Sequence, residues 1–129
     1  FKAKIKLVSP ATLQLPEYIC SELKEKNITF TRHEKIEEII NSVDILYMTR
    51  IQAERFADPM DYERVKNTFV LRAGMLKNAK PNLRILHPLP RVNEITTDVD
   101  KTKHAYYFEQ AKNGLYARQA LLGAVLGKI

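Results

Sequence analysis

Cysteine occurs once in these 129 residues, glycine four times, and no run of apolar residues extends beyond a few positions. Each scarcity excludes something. A single thiol, Cys20, rules out an internal disulfide. Its spacing with Ile19 and Leu23 marks it as a small buried residue of a reducing compartment rather than a reactive group. Four glycines, none in a G-x-G-x-x-G or P-loop arrangement, leave no loop to cradle a dinucleotide or a nucleoside triphosphate. The short apolar runs supply neither a membrane-spanning helix nor a signal peptide, so the expectation is a soluble, cytoplasmic protein. An initiator methionine is missing too. The chain starts at Phe1 and passes almost at once into Ile5, Leu7 and Val8, which points to a cut inside a longer chain.

What is present suits one core. About 45% of the residues are hydrophobic, enough at this length for a single domain over 1–129 and too few for two. The net charge of +6 and pI near 9.5 come from lysines spread from Lys2 to Lys128 among fifteen carboxylates. That is the pattern of a solvated surface, some of which can complement an anionic substrate. No aromatic and basic residues alternate as they do where bases stack, so a nucleic-acid surface is not expected.

Along the chain, β-rich runs alternate with helical spacing. Lys4 to Val8 reads as a strand, Pro16 to Lys26 as a helix entered through its proline, Ile28 to Thr31 as a second strand, and Ile36, Ile39 and Ile40 as a helical face. Asp44 to Met48 is apolar almost throughout, the mark of a strand buried on both faces. A charged connection follows from Ala53 to Lys66, then a short helix near Gly74 to Ala79 and a strand from Leu83 to Leu86. The tail from Tyr106 to Leu126 is helical, with a break expected at Asn113-Gly114. This order predicts an α/β fold: a doubly wound, Rossmann-like parallel sheet with helices on both faces.

Ligands of such sheets gather beyond the carboxyl ends of the strands. Two segments lie there. In Thr49-Arg50-Ile51-Gln52 a strand runs into a guanidinium, whose planar fork matches a carboxylate, with an amide donor two residues on. Spacing leaves an alternative equally open, an ion pair between Arg50 and Glu54. In His87-Pro88-Leu89-Pro90-Arg91 the two prolines remove backbone donors and leave carbonyl acceptors, which suits a ligand rich in N–H such as a carbamoyl group. A cis Leu89-Pro90 bond is one way to aim those carbonyls. Spacing alone favours the plainer reading of a proline-stiffened strand exit. His87 has the titration range of a general base, but at a strand end before proline a structural, hydrogen-bonded role is commoner. His33 and His104 read as surface residues, and no metal-ligand spacing occurs.

Taken together, the segments Asp44 to Arg55, His87 to Ile95, Asp98 to Lys101 and Tyr107 to Leu121 closely resemble the second domain of the aspartate transcarbamoylases. The likeness extends over essentially the whole chain, and T-R-x-Q followed by H-P-L-P-R at this spacing is highly specific. It implies a carbamoyltransferase: transfer of the carbamoyl group of carbamoyl phosphate to the amine of L-aspartate, in pyrimidine synthesis, without a cofactor. It implies that Arg50 and Gln52 bind aspartate and that the backbone of Pro88, Leu89 and Pro90 helps hold the carbamoyl group. It also implies a partner domain upstream, carrying an S-T-R-T-R phosphate loop, a histidine that polarises the carbonyl and a further arginine. None of these is in this chain, so the chain alone is expected to be inactive. The implied assembly is a homotrimer of full chains, with or without regulatory chains. Ala53 to Lys66 resembles a loop that closes over aspartate, and Asn93 stands where the family has aspartate. An ornithine enzyme would place H-C-L-P at the proline turn, and Arg50 would repel a cationic acceptor. A non-catalytic copy would have no need of Arg50, Gln52 or the turn.

Overall fold

The computed structural model describes residues 2–128, the side chain of Arg55 excepted. The first aliphatic run forms β1 (Ile5–Val8), and α1 (Glu17–Glu25) follows, with Pro16 at its N-cap and Glu17 in its first turn, where proline's fixed φ and a negative charge both favour helix entry. The helix ends because Asn27 turns left-handed at φ 54°. Its N–H and that of Ile28 then fold back onto the carbonyls of Lys24 and Leu23, both at 2.9 Å. The chain reverses into β2 (Phe30–His33), two residues later than the sequence predicts, and pairs parallel with β1, Ile5 opposite Phe30.

A 3-10 turn at Ile36–Glu38, not a full helix, buries Ile36, Ile39 and Ile40 and leads into β3 (Ile45–Tyr47). After α2 (Pro59–Val65) and a 3-10 turn at Ala73–Leu76, β4 (Arg84–Leu86) pairs parallel with β3, Leu46 opposite Ile85. The closing helix is α3 (Tyr107–Val125). Both pairings are parallel, as an α/β order requires, and lie in two separate two-stranded pieces. Among the described residues no helix is long and apolar enough to cross a membrane.

The core belongs to the second piece. Leu46, Met48, Leu71, Leu83, Ile85, Ile95, Val99 and Tyr107 pack there with the three isoleucines. At about 1.5–3 kcal/mol for each large buried side chain, this cluster dominates the hydrophobic stabilisation. From β1 through β2 only Cys20 is fully buried, a free thiol as its spacing suggests.

Several local expectations change. β3 buries one face only: Leu46 is 6% exposed, whereas Ile45 is 61% and Tyr47 55% exposed, because their side looks onto an open groove beside β1 instead of a helix. The connection after Gln52 is not all loop. Asp58 caps α2 by accepting from the Met60 N–H at 2.8 Å, with Pro59 next, an Asp-Pro pair typical of a helix start. α3 runs unbroken through Asn113-Gly114: the roughly 1 kcal/mol that glycine costs inside a helix is too little to stop nineteen residues anchored by buried Tyr107. His104 is buried and shares a 3.0 Å hydrogen bond with the Leu83 carbonyl, and His33 is half-buried between Thr31 and Glu38. Neither is the free surface histidine expected.

Candidate functional site

Parallel pairing of β3 with β4 puts two carboxyl ends side by side. The Met48 N–H still donates to the Leu86 carbonyl at 2.9 Å, and immediately beyond that bond one strand delivers Thr49 and Arg50 while the other delivers His87 and Pro88. Arg50, Gln52, Pro88, Leu89 and Pro90 consequently line one open groove, although 36 residues of chain separate Gln52 from Leu89 and its neighbours only through the fold. Lys2, Lys4 and Lys6 share its walls, and Lys80 is paired there with Asp44 at 3.0 Å, so the groove is cationic.

The first exit is exposed. Arg50 Nη2 donates to Glu54 Oε1 at 3.0 Å, and Gln52 Nε2 donates to the same oxygen at 3.2 Å. The ion pair allowed by the four-residue spacing therefore exists. The two side chains singled out for carboxylate binding also converge on a carboxylate, and with both ends of the Arg50–Glu54 pair about half exposed it adds little to stability. Backbone hydrogen bonding at its own N–H, then Arg50 and Gln52, hold the Glu54 carboxyl below its ordinary range. On the far side of Arg50 a smaller cavity is lined by Tyr62 and Lys66 of the α2 region and by Asn93 and Glu94. Asn93 Nδ2 donates to Asn67 Oδ1 at 2.5 Å, tying that region to the second exit.

The second exit is braced from within. Leu89-Pro90 is cis, and Leu89 itself sits at φ 49°, a left-handed conformation that costs a residue with a β-carbon roughly 1–2 kcal/mol and persists only where surroundings over-determine it. Those surroundings are identifiable. The Leu89 N–H donates to His87 Nδ1 at 2.9 Å, and the His87 N–H donates to Gln110 Oε1 of α3, also at 2.9 Å. Past the turn, Arg91 grips Asp100 with both Nη atoms, and the Tyr107 hydroxyl donates to the same carboxylate. This fork raises the Arg91 pKa and lowers that of Asp100, while burial, with Asp100 adding to it, pushes the Tyr107 phenol up to about 12.

One chemical consequence follows for residues 88–90. Two are prolines and the third has spent its N–H on His87, so the turn presents no backbone donor. Among the described residues none donates to its three carbonyls. It is an acceptor-only surface, matched to a ligand that donates. His87 does not act as a base: it is 1% exposed and both ring nitrogens are engaged inside the protein, Nε2 lying 2.7 Å from Glu94 Oε1. Glu94, Asp100, Tyr107 and Gln110 escape sequence reading because each sits in a segment whose spacing gives no sign of a polar partner elsewhere. Among the described residues no group of three or more His, Cys, Asp or Glu gathers as a metal site.

Comparison with known proteins concerns the chain as a whole. Residues 1–125 match the family described as aspartate/ornithine carbamoyltransferase, Asp/Orn binding domain. The chain is 60% identical over 126 residues to the aspartate carbamoyltransferase catalytic subunit 2 of Shewanella halifaxensis, and 56% identical over 128 residues to the catalytic subunit of Chromobacterium violaceum. These matches take in 98% and 99% of this chain but 40% and 42% of the relatives, so the chain spans about two-fifths of their length. Among solved structures, the catalytic subunit of M. jannaschii aspartate transcarbamoylase superposes with a TM-score of 0.86 at 40% identity, over 98% of this chain and 42% of that one. The Trypanosoma cruzi aspartate transcarbamoylase in complex with carbamoyl phosphate and aspartate gives 0.80 at 32% identity, over 92% and 40%.

Proposed function

This chain belongs to the aspartate/ornithine carbamoyltransferase family through its Asp/Orn-binding domain, and we propose that it is the aspartate-binding half of an aspartate carbamoyltransferase. One observation carries the reading: the guanidinium of Arg50, the amide of Gln52 and the acceptor-only turn Pro88-Leu89-Pro90 open onto a single groove at the ends of adjacent parallel strands.

The chemistry divides between the two exits. Arg50 and Gln52, now meeting on Glu54, exchange that carboxylate for one of aspartate's and fix the amino acid in the groove. The carbonyls of the turn accept from the carbamoyl NH2 and present its carbon to the amine. The amine lone pair attacks that carbon, the bond from carbon to the phosphate oxygen breaks with its electron pair leaving on phosphate, and the proton lost by the amine passes to the departing phosphate. Positioning of this kind makes an encounter of two substrates effectively unimolecular. Stabilising the oxyanion and the departing phosphate falls to the upstream domain of the complete chain, so the 129-residue chain by itself turns over no carbamoyl phosphate.

A cationic groove favours aspartate over ornithine, whose charged side chain Arg50 and the groove lysines would repel. The α2 region, directly after Gln52 and lining the smaller cavity beside Arg50, is the segment to close over bound aspartate. Homotrimeric assembly of complete chains in the cytoplasm, with or without regulatory chains, belongs to the same proposal by family resemblance. The test is steady-state kinetics of the complete enzyme carrying Arg50→Ala at varied aspartate. A large loss of kcat/KM for aspartate is expected, and an unchanged aspartate dependence would overturn the assignment.

A further inference from the structure

Two buried ionisable side chains, His87 and Glu94, at 1% and 4% exposure, take no direct part in the chemistry just described. Their hydrogen bonds show what they do. His87 Nδ1 accepts from the Leu89 N–H at 2.9 Å. A ring nitrogen that accepts from an amide carries no proton, so the ring proton resides on Nε2 and is donated to Glu94 Oε1, 2.7 Å away. The other oxygen, Oε2, accepts from the Val92 N–H at 3.1 Å and from the Asn93 N–H at 3.0 Å. Burial works to raise the Glu94 carboxyl, but backbone N–H groups at Glu94, Val92 and Asn93 together with the His87 ring outweigh it and hold the group below its ordinary range. Every side-chain polar atom of the pair is thus committed to residues 87–94. The relay reaches from the middle of the proline turn to the bend that follows it at residues 92–94.

We propose that His87 and Glu94 are positioning residues for carbamoyl transfer. His87 draws the Leu89 N–H into the interior and so leaves the turn with acceptors alone, and Glu94 holds His87 in the one tautomer that can do so. The inference rests on the reading of Pro88-Leu89-Pro90 as the carbamoyl-binding turn. A merely stabilising pair would give no reason for Nδ1 to be aimed at the single free donor of that turn.

The test separates the two ring nitrogens in the complete enzyme. His87→Asn places its side-chain oxygen near the position of Nδ1 and can still accept from Leu89. His87→Gln reaches the position of Nε2 and can still donate to Glu94, but has no acceptor for Leu89. The expected result is that His87→Gln raises the KM for carbamoyl phosphate about tenfold, the effect of losing one internal hydrogen bond. His87→Asn should stay within about threefold of the parent, and the KM for aspartate should move little in either. Hydrogen exchange at the Leu89 amide is read alongside and should quicken in His87→Gln only. If that amide stays protected in His87→Gln, the relay is wrong and the turn keeps its reading. Should the amide be freed with carbamoyl phosphate kinetics unchanged, the turn is not the carbamoyl site and the positioning role falls with it. Equal kinetic losses in both variants overturn the assignment to Nδ1. Glu94→Gln guards against a misfolded His87 variant. It keeps an acceptor for Nε2 but sets an amide against Val92 or Asn93, so the same direction of change in carbamoyl phosphate KM is expected, and an unaltered KM counts against the proposal.

Discussion

The two strand exits that meet in the groove are built on opposite principles. Beyond β3, Arg50 and Gln52 are held by one exposed carboxylate, Glu54, four and two residues away in the same segment. Beyond β4, the proline turn is fastened by His87, Glu94, Arg91, Asp100, Tyr107 and Gln110, which reach it from three parts of the chain. A turn whose carbonyls must stand at fixed points, with Leu89 in a left-handed conformation, needs surroundings that leave it no alternative. On the function proposed here, the guanidinium of Arg50 releases one carboxylate and takes another, which needs the reverse, a partner worth little. Pre-organisation is therefore confined to the β4 exit of the groove.

The contrast breaks most visibly through the core beneath the braced exit. Ile85→Ala, at a fully buried position in β4, should cost about 3–4 kcal/mol by urea unfolding, and a cost below about 1 kcal/mol would mean that β4 is not the frame of the turn. Arg91→Ala leaves Asp100 partly buried without its cation, at 26% side-chain exposure. A loss of up to about 3 kcal/mol is expected, with carbamoyl phosphate binding weakened more than aspartate binding. For Arg50→Ala the pattern should invert. Stability should change by no more than about 0.5 kcal/mol, because the broken pair is solvated. The aspartate kcat/KM of the complete enzyme should nevertheless fall roughly 10–100-fold, as expected for a lost charge-assisted hydrogen bond.

Acid should also weaken the braced exit. The folded-state pKa values of Glu94 and Asp100 lie below their ordinary 4.5 and 3.8, so the unfolded chain binds protons more readily. The stability these groups contribute is complete above those ordinary values and is lost as pH falls through the folded ones. Unfolding monitored from pH 5 to pH 2 should show that loss diminished in Glu94→Gln. The smallest effect is expected far from both exits: Gly114→Ala should stabilise α3 by about 0.5 kcal/mol, since the added β-carbon meets only the mobile end of Arg118 at 3.3 Å. A destabilisation there would restore the break that Asn113-Gly114 suggests.

Much of this was legible in the residues because it depends on near neighbours. Alternation of aliphatic runs with helical spacing foretells parallel pairing, Pro16 foretells the entry of α1, and the positions of Arg50 and Pro88 to Pro90 after strands mark them as candidates. What stayed hidden involves distance along the chain. Whether β3 is covered on both faces depends on what lies beyond Ile45 and Tyr47, and His104 is buried because it meets Leu83, 21 residues earlier. The start of α2 at Asp58-Pro59 is a different case. Its signal is local, a capping aspartate and a proline, set within a segment dense in charge.

Residue identity alone sets the chemical vocabulary of the groove: a planar cation and an amide after one strand, and a turn stripped of two donors by proline after another. Composition and covalent structure decide those properties wherever the chain folds. Only the tertiary structure decided that the two segments face one groove, that Arg50 rests on Glu54, and that the last donor of the turn is withdrawn onto His87. The physical reason is that a hydrogen bond depends on distance and direction in space. Parallel pairing and a shared core bring residues 50 and 89 to the same place, and no local spacing encodes that meeting.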